Sequence, residues 1–214
     1  MKIILISDTH GQHKKLAEIS GDLIIHAGDV SIRGTYEEVS DFLNWYKSLD
    51  FKYKVFIAGN HDFYFEGLSE TELKKLIPEN VIYLNDSGIT IEDLKIWGSP
   101  IQPWFFDWAF NRQRGEEIKK HWDLIPTDID ILVTHGPPVN ILDKTLSDEH
   151  VGCEDLLNRV KVVEPRIHVF GHIHEAYGIQ KIDVTKFINA SVLNLNYEMS
   201  NSPIELDFVK FKSR

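Results

Sequence analysis

Cysteine is almost missing from this sequence: Cys153 is the only one in 214 residues. No intrachain disulfide can form, which excludes a disulfide-stapled scaffold and fits a reducing compartment. The opening apolar run is also short. Only Ile3, Ile4, Leu5 and Ile6 separate Lys2 from Ser7 and Asp8, too few for a signal-peptide core or a membrane span. A cytoplasmic protein with no membrane association is therefore expected. Positive charge is the third scarcity. Lys and Arg number 23 against 33 Asp and Glu, for a formal net charge of −10. Proteins that track a nucleic-acid backbone normally carry a basic stripe, so no extended nucleic-acid interface is expected. A small phosphate-bearing substrate stays open, because bound divalent ions make a site locally positive whatever the net charge. Linkers, repeats and low-complexity segments are absent too. With 43% apolar and 26% charged residues, the chain reads as an ordinary globular protein, and a single domain over 1–214 is expected.

What is present is a set of short, β-branched apolar runs. Residues 2–6, 23–27, 55–58, 131–134 and 167–170 each stop at Gly or a polar residue and read as buried strands. Between them lie helix-spaced patterns. Val39, Phe42, Leu43, Tyr46 and Leu49 predict an amphipathic helix over about 35–49. Shorter helices are expected at 70–77, around Ile118, Trp122 and Ile125, and from Leu156 to Val163 before Pro165. This alternation implies an α/β architecture. Residues 81–98 read instead as a run of short antiparallel strands with turns at 85–88 and 92–93, and "FINAS" and "IELDFVKF" add two further strand candidates.

Every one of the five buried runs ends in side chains able to bind a metal. Ligands of open α/β sheets gather at the carboxyl ends of strands, so Asp8, His10, Asp29, Asn60, His61, His135, His172 and His174 are expected to converge. In extended backbone His172 and His174 would share a face, with Cα atoms roughly 6–7 Å apart. That separation suits two ions about 3.5–4 Å apart, each taking one imidazole. Carboxylate, amide and imidazole donors without thiolate suit Mn²⁺, Fe, Zn²⁺, Co²⁺ or Ni²⁺, rather than Mg²⁺ in an all-oxygen cage or Cu(I) on sulfur.

D-x-H at 8–10, G-D at 28–29, G-N-H-D at 59–62, H-G at 135–136 and G-H-x-H at 171–174 together resemble the calcineurin-like metallophosphoesterases. All five blocks occur in order. "GSPIQPWFFDWAFNRQRG", "THGPP" and "HVGCEDLL" further resemble the small metallophosphoesterase-domain proteins, a branch linked to the class III cyclic-nucleotide phosphodiesterases. The resemblance implies a four-layer α/β/β/α sandwich with a binuclear site. It implies one ion held by Asp8, His10, Asp29 and His174, a second by Asp29, Asn60, His135 and His172, and Asp29 as the bridge. It also implies a bridging hydroxide as nucleophile and His61 as the residue that protonates or stabilises the leaving oxygen. Asp62 is expected either to accept a hydrogen bond from His61 or simply to cap a turn.

The aromatics of "PWFFDWAFNRQRG" read either as a hydrophobic cluster under a loop or as a wall beside the metals, with Trp104 and Phe105 as substrate contacts. Arg112 and Arg114 read as phosphate forks or as a surface pair at a helix start. His26 and His168 are expected in the core, His13, His121 and His150 on the surface, and Cys153 at the opening of a helix. Hydrolysis of small phosphodiesters, cyclic nucleotides included, is the first expectation. Phosphomonoester or phosphoprotein hydrolysis is the alternative. A non-catalytic scaffold would call for a missing ligand, and none is missing. Nothing in the sequence sets an oligomeric state.

Overall fold

Five strands with apolar residues on both faces need cover on both faces, and the fold supplies it with two sheets and flanking helices. The computed structural model describes residues 1–208. One sheet contains β1 (Lys2–Ile6), β2 (Leu23–Ala27), β3 (Tyr53–Ile57), β4 (Ile82–Tyr83) and β13 (Ile204–Asp207), in the order β13-β1-β2-β3-β4. The other contains β5 (Ser87–Ile91), β6 (Leu94–Ser99), β9 (Ile131–Thr134), β10 (Ile167–Phe170), β11 (Gly178–Ile182) and β12 (Thr185–Asn189), in the order β11-β12-β10-β9-β6-β5. Central pairings are parallel, β1–β2–β3 and β6–β9–β10–β12, and β13, β5 and β11 close the edges antiparallel.

Alternation along each strand sorts the side chains into layers. Ile3, Leu5, Ile25, Val55 and Ile57 of the first sheet pack with Ile96, Val133, Val169 and Ile188 of the second, with no helical residue among them. Their neighbours Ile4, Ile24 and Phe56 face outward with α1 (Tyr36–Ser48), while Leu132, Phe170 and Phe187 lie with α4 (Glu116–Trp122) and α5 (Glu154–Val163). The order is therefore helix, sheet, sheet, helix.

Local chemistry sets the helix ends. Thr35 and Glu38 form a capping box at the start of α1, and Ser69 and Glu72 form another at α3 (Glu70–Leu76). Inside α1, Val39, Phe42, Leu43 and Tyr46 are buried, and the Tyr46 hydroxyl donates to the carbonyls of Ile24 (3.1 Å) and Val55 (2.7 Å). Truncating a ring such as Phe42 here costs about 3–5 kcal/mol. Cys153 does open α5, its sulfur accepting from Leu156 N–H at 3.4 Å.

One expectation fails, and one strand was not foreseen. Residues 81–98 are not one antiparallel run: β4 pairs parallel with β3, Val55 opposite Ile82, and only β5 and β6 form a hairpin. The chain changes sheets between β4 and β5. The sequence also gives no sign of β11, whose IQKI stretch is exposed at a sheet edge and has no apolar run. Of "IELDFVKF", Ile204–Asp207 is β13, and residues 209–211 lie outside the described residues. Among the described residues, no helix is long and apolar enough to cross a membrane.

Candidate metal centre

The carboxyl ends of β1, β2 and β3 from one sheet meet those of β9 and β10 from the other. Asp8 and His10 follow β1, Asp29 follows β2, Asn60 and His61 follow β3, His135 follows β9, and His172 and His174 follow β10. Backbone bonds lash these loops together: Asp8 N–H donates to Gly28 O (3.0 Å), His10 N–H to Asp29 O (3.0 Å) and Gly171 N–H to His135 O (2.9 Å). Asp8, His10, Asp29 and His172 all have positive φ, at 55°, 41°, 56° and 69°. Non-glycine residues rarely adopt this region, and clusters of it mark functional sites. Space is equally tight. A Cβ on Gly171 would sit 2.0 Å from Asp8 Oδ2, and one on Gly59 would sit 2.3 Å from Asp29 Oδ1.

Three groups of donor atoms result, each within 4.8 Å: Asp8, His10 and His174; Asp29, His135 and His172; and His10, Asp29 and His61. In the first, His174 Nε2 lies 3.6 Å from Asp8 Oδ1 and 3.3 Å from His10 Nε2. In the second, Asn60 Oδ1 lies 2.8 Å from both His135 Nε2 and His172 Nδ1. Asp29 Oδ2 is 3.6 Å from His10 Nε2 and 3.4 Å from His135 Nε2, so it borders both of these groups. The two histidines of G-H-x-H thus serve different groups, but not through an extended backbone. His172 is left-handed and His174 begins a 3₁₀ turn, so the chain bends between them.

Backbone carbonyls orient the rings. Nδ1 of His10, His135 and His174 faces the carbonyls of Ser31 (3.0 Å), Ala27 (3.0 Å) and Asn194 (3.1 Å), turning each Nε2 toward the centre. Burial alone would push the Asp8 and Asp29 carboxyls up. Hydrogen bonds and charge from His174 and His135 outweigh it and hold both carboxyls low. In return, against the effect of burial, His135 and His174 are raised to about 9 by Asp29 and Asp8. Burial and the neighbouring His135 lower His172 to about 4.

His61 belongs to this centre. Its N–H donates to Asp29 Oδ1 at 2.9 Å and its Nδ1 faces Ile32 O at 2.7 Å, so Nε2 has no protein partner among the described residues. Asp62 does not support the His61 ring. It is fully buried and accepts from Val30 N–H (3.2 Å), Ser31 N–H (3.0 Å), the Ser31 hydroxyl (2.6 Å) and Gly59 N–H (2.8 Å). It ties the loops after β2 and β3 together, and the Ile32 carbonyl takes the place expected of it.

A cleft of about 230 Å³ over the centre is lined by His61, His172 and Tyr197, with Phe105 and Trp108 on one wall. Trp104 and Phe105 are about half exposed, so they are not a buried cluster; only Ala109 and Phe110 enter the core. Beside the cleft lies a cavity of about 830 Å³ that shares Phe105 and His172 with it and takes in Trp104 and Arg114. Arg112 lies on neither wall. Its guanidinium is turned to His121 Nε2 (3.2 Å), Asn111 O (2.7 Å) and Glu66 (3.6 Å).

The remaining histidines divide differently than expected. His26 and His168 are core residues paired with Thr9 (2.9 Å) and Thr134 (2.8 Å), and burial lowers both to about 3. His13 is buried rather than on the surface, against Trp45 and 3.3 Å from Asp41. His121 is half-buried on Asp86.

Nothing in the sequence reading ties residues 191–197 to the centre. Ser191 donates to Asp8 Oδ2 at 2.7 Å, Asn194 O orients His174, and the Tyr197 ring lies 4.9 Å from His10 and 5.5 Å from His174. No Asp or His marks this loop; long-range contact alone places it.

Fold and site together define a two-sheet α/β protein with nitrogen and oxygen donors gathered where the sheets' strand ends meet. The chain belongs to the calcineurin-like phosphoesterase family, whose family model matches residues 1–176. Membership supports a metal-dependent phosphoester hydrolase and implies divalent metal ions. The chain is 42% identical to human metallophosphoesterase domain-containing protein 1, across 96% of this chain and 70% of that protein. It is 37% identical to a UPF0046 protein of Caenorhabditis elegans, across 95% of this chain and 74% of that one. A solved structure aligns at a TM-score of 0.65 and 16% identity over 88% of this chain and 89% of its own, which shows the shared fold. Ser191, Asn194 and Tyr197 lie beyond the segment that the family model matches.

Proposed function

We propose that this chain hydrolyses small phosphodiesters at a centre of two divalent cations held by Asp8, His10, Asp29, Asn60, His135, His172 and His174. Asp29 carries the reading. Its Oδ1 is occupied by His61 N–H at 2.9 Å, while its Oδ2 stands 3.6 Å from His10 Nε2 and 3.4 Å from His135 Nε2. One carboxylate oxygen bordering two donor groups suits a bridge whose charge offsets cation repulsion. The donor chemistry fits as well. Tetrahedral ligands about 2.0–2.2 Å from an ion lie roughly 3.3–3.6 Å apart, and 3.3 Å from His10 to His174 and 3.6 Å from His174 to Asp8 fall in that range. The mixed nitrogen and oxygen set fits Mn²⁺, Fe, Zn²⁺, Co²⁺ or Ni²⁺.

Such ions acidify water and polarise phosphoryl oxygens. The chain's own residues do the rest. The carbonyls of Ser31, Ala27 and Asn194 fix the imidazoles of His10, His135 and His174, Ser191 and the His172 N–H fix Asp8, and His61 Nε2 exchanges a proton with the leaving oxygen. Trp108 and Phe105 line the cleft. A diester is favoured over a monoester because, among the described residues, no Lys or Arg lines the cleft. A dianionic monoester would find no side-chain cation there, whereas a monoanionic diester asks for less charge compensation.

The test uses protein stripped of metal and reloaded with Mn²⁺, assayed on bis-p-nitrophenyl phosphate and p-nitrophenyl phosphate. Faster turnover of the diester, with two metals per chain by elemental analysis, is expected. A monoester preference overturns the diester assignment, and full metal occupancy in Asp29→Ala overturns the bridge.

A further inference from the structure

The cavity of about 830 Å³ beside the cleft is the size of a site for a small organic molecule, far more than a phosphoryl group needs. Its wall differs from that of the cleft. Arg114 stands on it with the guanidinium fixed by two carbonyls, Gly152 at 2.9 Å and Val151 at 3.0 Å. No carboxylate lies within 4.0 Å of that guanidinium among the described residues. In a chain of net charge −10, a held arginine without an acidic partner beside the reaction centre is an unspent anion receptor.

His150 is on the same wall, and it too is held. Its Nδ1 meets Asp143 Oδ1 at 2.6 Å. Asp143 is fully buried and its other oxygen accepts from Asn140 N–H (2.9 Å) and Gly152 N–H (3.0 Å). A buried carboxylate fixed in this way holds the ring of His150 through Nδ1 and leaves Nε2 for a ligand. Gly152 links the two receptors, its carbonyl taking Arg114 and its N–H giving to Asp143. Among the described residues Glu149 is the one acid lining the cavity, and it accepts from Ser147 Oγ at 3.3 Å. Trp104 and Phe105 line the cavity, both about half exposed, and Phe105 also lines the cleft.

We infer that the substrate carries a second oxyanion on its leaving group, received by Arg114 and His150 in this cavity, while its phosphodiester lies over the metal centre. The inference rests on the hydrolysis proposed above and names the substrate class for it. Trp104 and Phe105 contact the body that joins the two charged ends.

Three esters test it: 4-nitrophenyl methyl phosphate, the same ester with a carboxylate at the ring's 3-position, and one with a phosphonomethyl group there. Wild-type protein is expected to favour at least one anionic ester by about tenfold or more in kcat/KM, through KM. The preferred group identifies the oxyanion. In Arg114→Gln and in His150→Asn the ratio falls toward one; the second variant leaves the bonds of Arg114 to the 151 and 152 carbonyls in place. Equal kcat/KM for all three esters in the wild type, or a ratio unchanged in both variants, overturns the inference. Calorimetric binding of phenylphosphonate and 3-carboxyphenylphosphonate separates the two readings. If no ester is cleaved, the hydrolysis fails, and the binding ratio, with its loss in the variants, still decides the cavity.

Discussion

The indole of Trp108 lies against the imidazole of His61, ring centres 4.3 Å apart and planes inclined by 34°. The neighbouring Ala109 N–H donates to Asn60 O at 3.1 Å, so the aromatic loop is docked directly on the segment that carries a candidate metal ligand. With Nδ1 on the Ile32 carbonyl at 2.7 Å, the ring can swing little, and its free Nε2 is presented to the cleft.

His61→Ala is expected to keep its metal and to lose turnover by about 10²–10⁴-fold, the usual worth of a positioned acid–base group. The deficit should be smallest for esters with the best leaving groups, which need least protonation. Elemental analysis beside a series of substituted aryl esters checks it, and a loss of metal instead would reassign His61 as a ligand.

Asp62→Ala strands the N–H groups of Val30, Ser31 and Gly59, all of which Asp62 now satisfies. Each orphaned buried donor costs about 1–3 kcal/mol, so a total destabilisation of about 3 kcal/mol or more is expected in urea unfolding of metal-free protein. A variant of normal stability that merely turned over slowly would restore Asp62 as a partner of His61.

Metal binding should release protons. Burial opposes the charged form, yet Asp29 and Asp8 raise His135 and His174 to about 9, so both rings are cationic at pH 7 in metal-free protein and must become neutral to coordinate. Apparent affinity therefore rises from pH 7 and levels above about pH 9. Calorimetry in buffers of different ionisation enthalpy should count about two protons per chain near pH 7.5. The linked stability has a definite sign. These folded-state values exceed the unfolded value of 6.5, so the contribution is full below pH 6.5 and is lost as pH rises through about 9. Thermal melts of metal-free protein should fall across that window; a flat profile with no proton release would contradict the pairing.

Gly171 and Gly136 each adjoin a candidate ligand, and their substitution should have unequal effects. A Cβ at 171 meets Asp8 Oδ2 at 2.0 Å and Ser7 Oγ at 2.2 Å, whereas one at 136 meets nothing within 4 Å. Gly171→Ala is expected to displace Asp8 and to lower both metal content and melting temperature. Gly136→Ala should leave both near wild type. Metal analysis and melting curves on the pair decide it, and equal behaviour would sink the steric account.

The sequence by itself determined the five buried strands and the residues at their ends. β-branched runs and the polar residues that stop them are local features, and a strand's carboxyl end is where an α/β sheet collects its ligands. Cys153 at the start of α5 and the burial of His26 and His168 in the core were legible for the same local reason. Tertiary structure alone decided what joins residues distant in the chain. His172 meets Asn60 across 112 positions and His174 meets His10 across 164, through a bend that an extended H-x-H pattern does not contain. It decided that Asp62 binds loops rather than His61, and that Arg112 turns to Glu66 and His121 while Arg114 faces a cavity. It also brought Asn194 and Tyr197 to a site begun at Asp8. Periodicity and spacing report on neighbours a few residues apart. The direction of a side chain after a left-handed turn, and the partner waiting there, are set by packing of the two sheets.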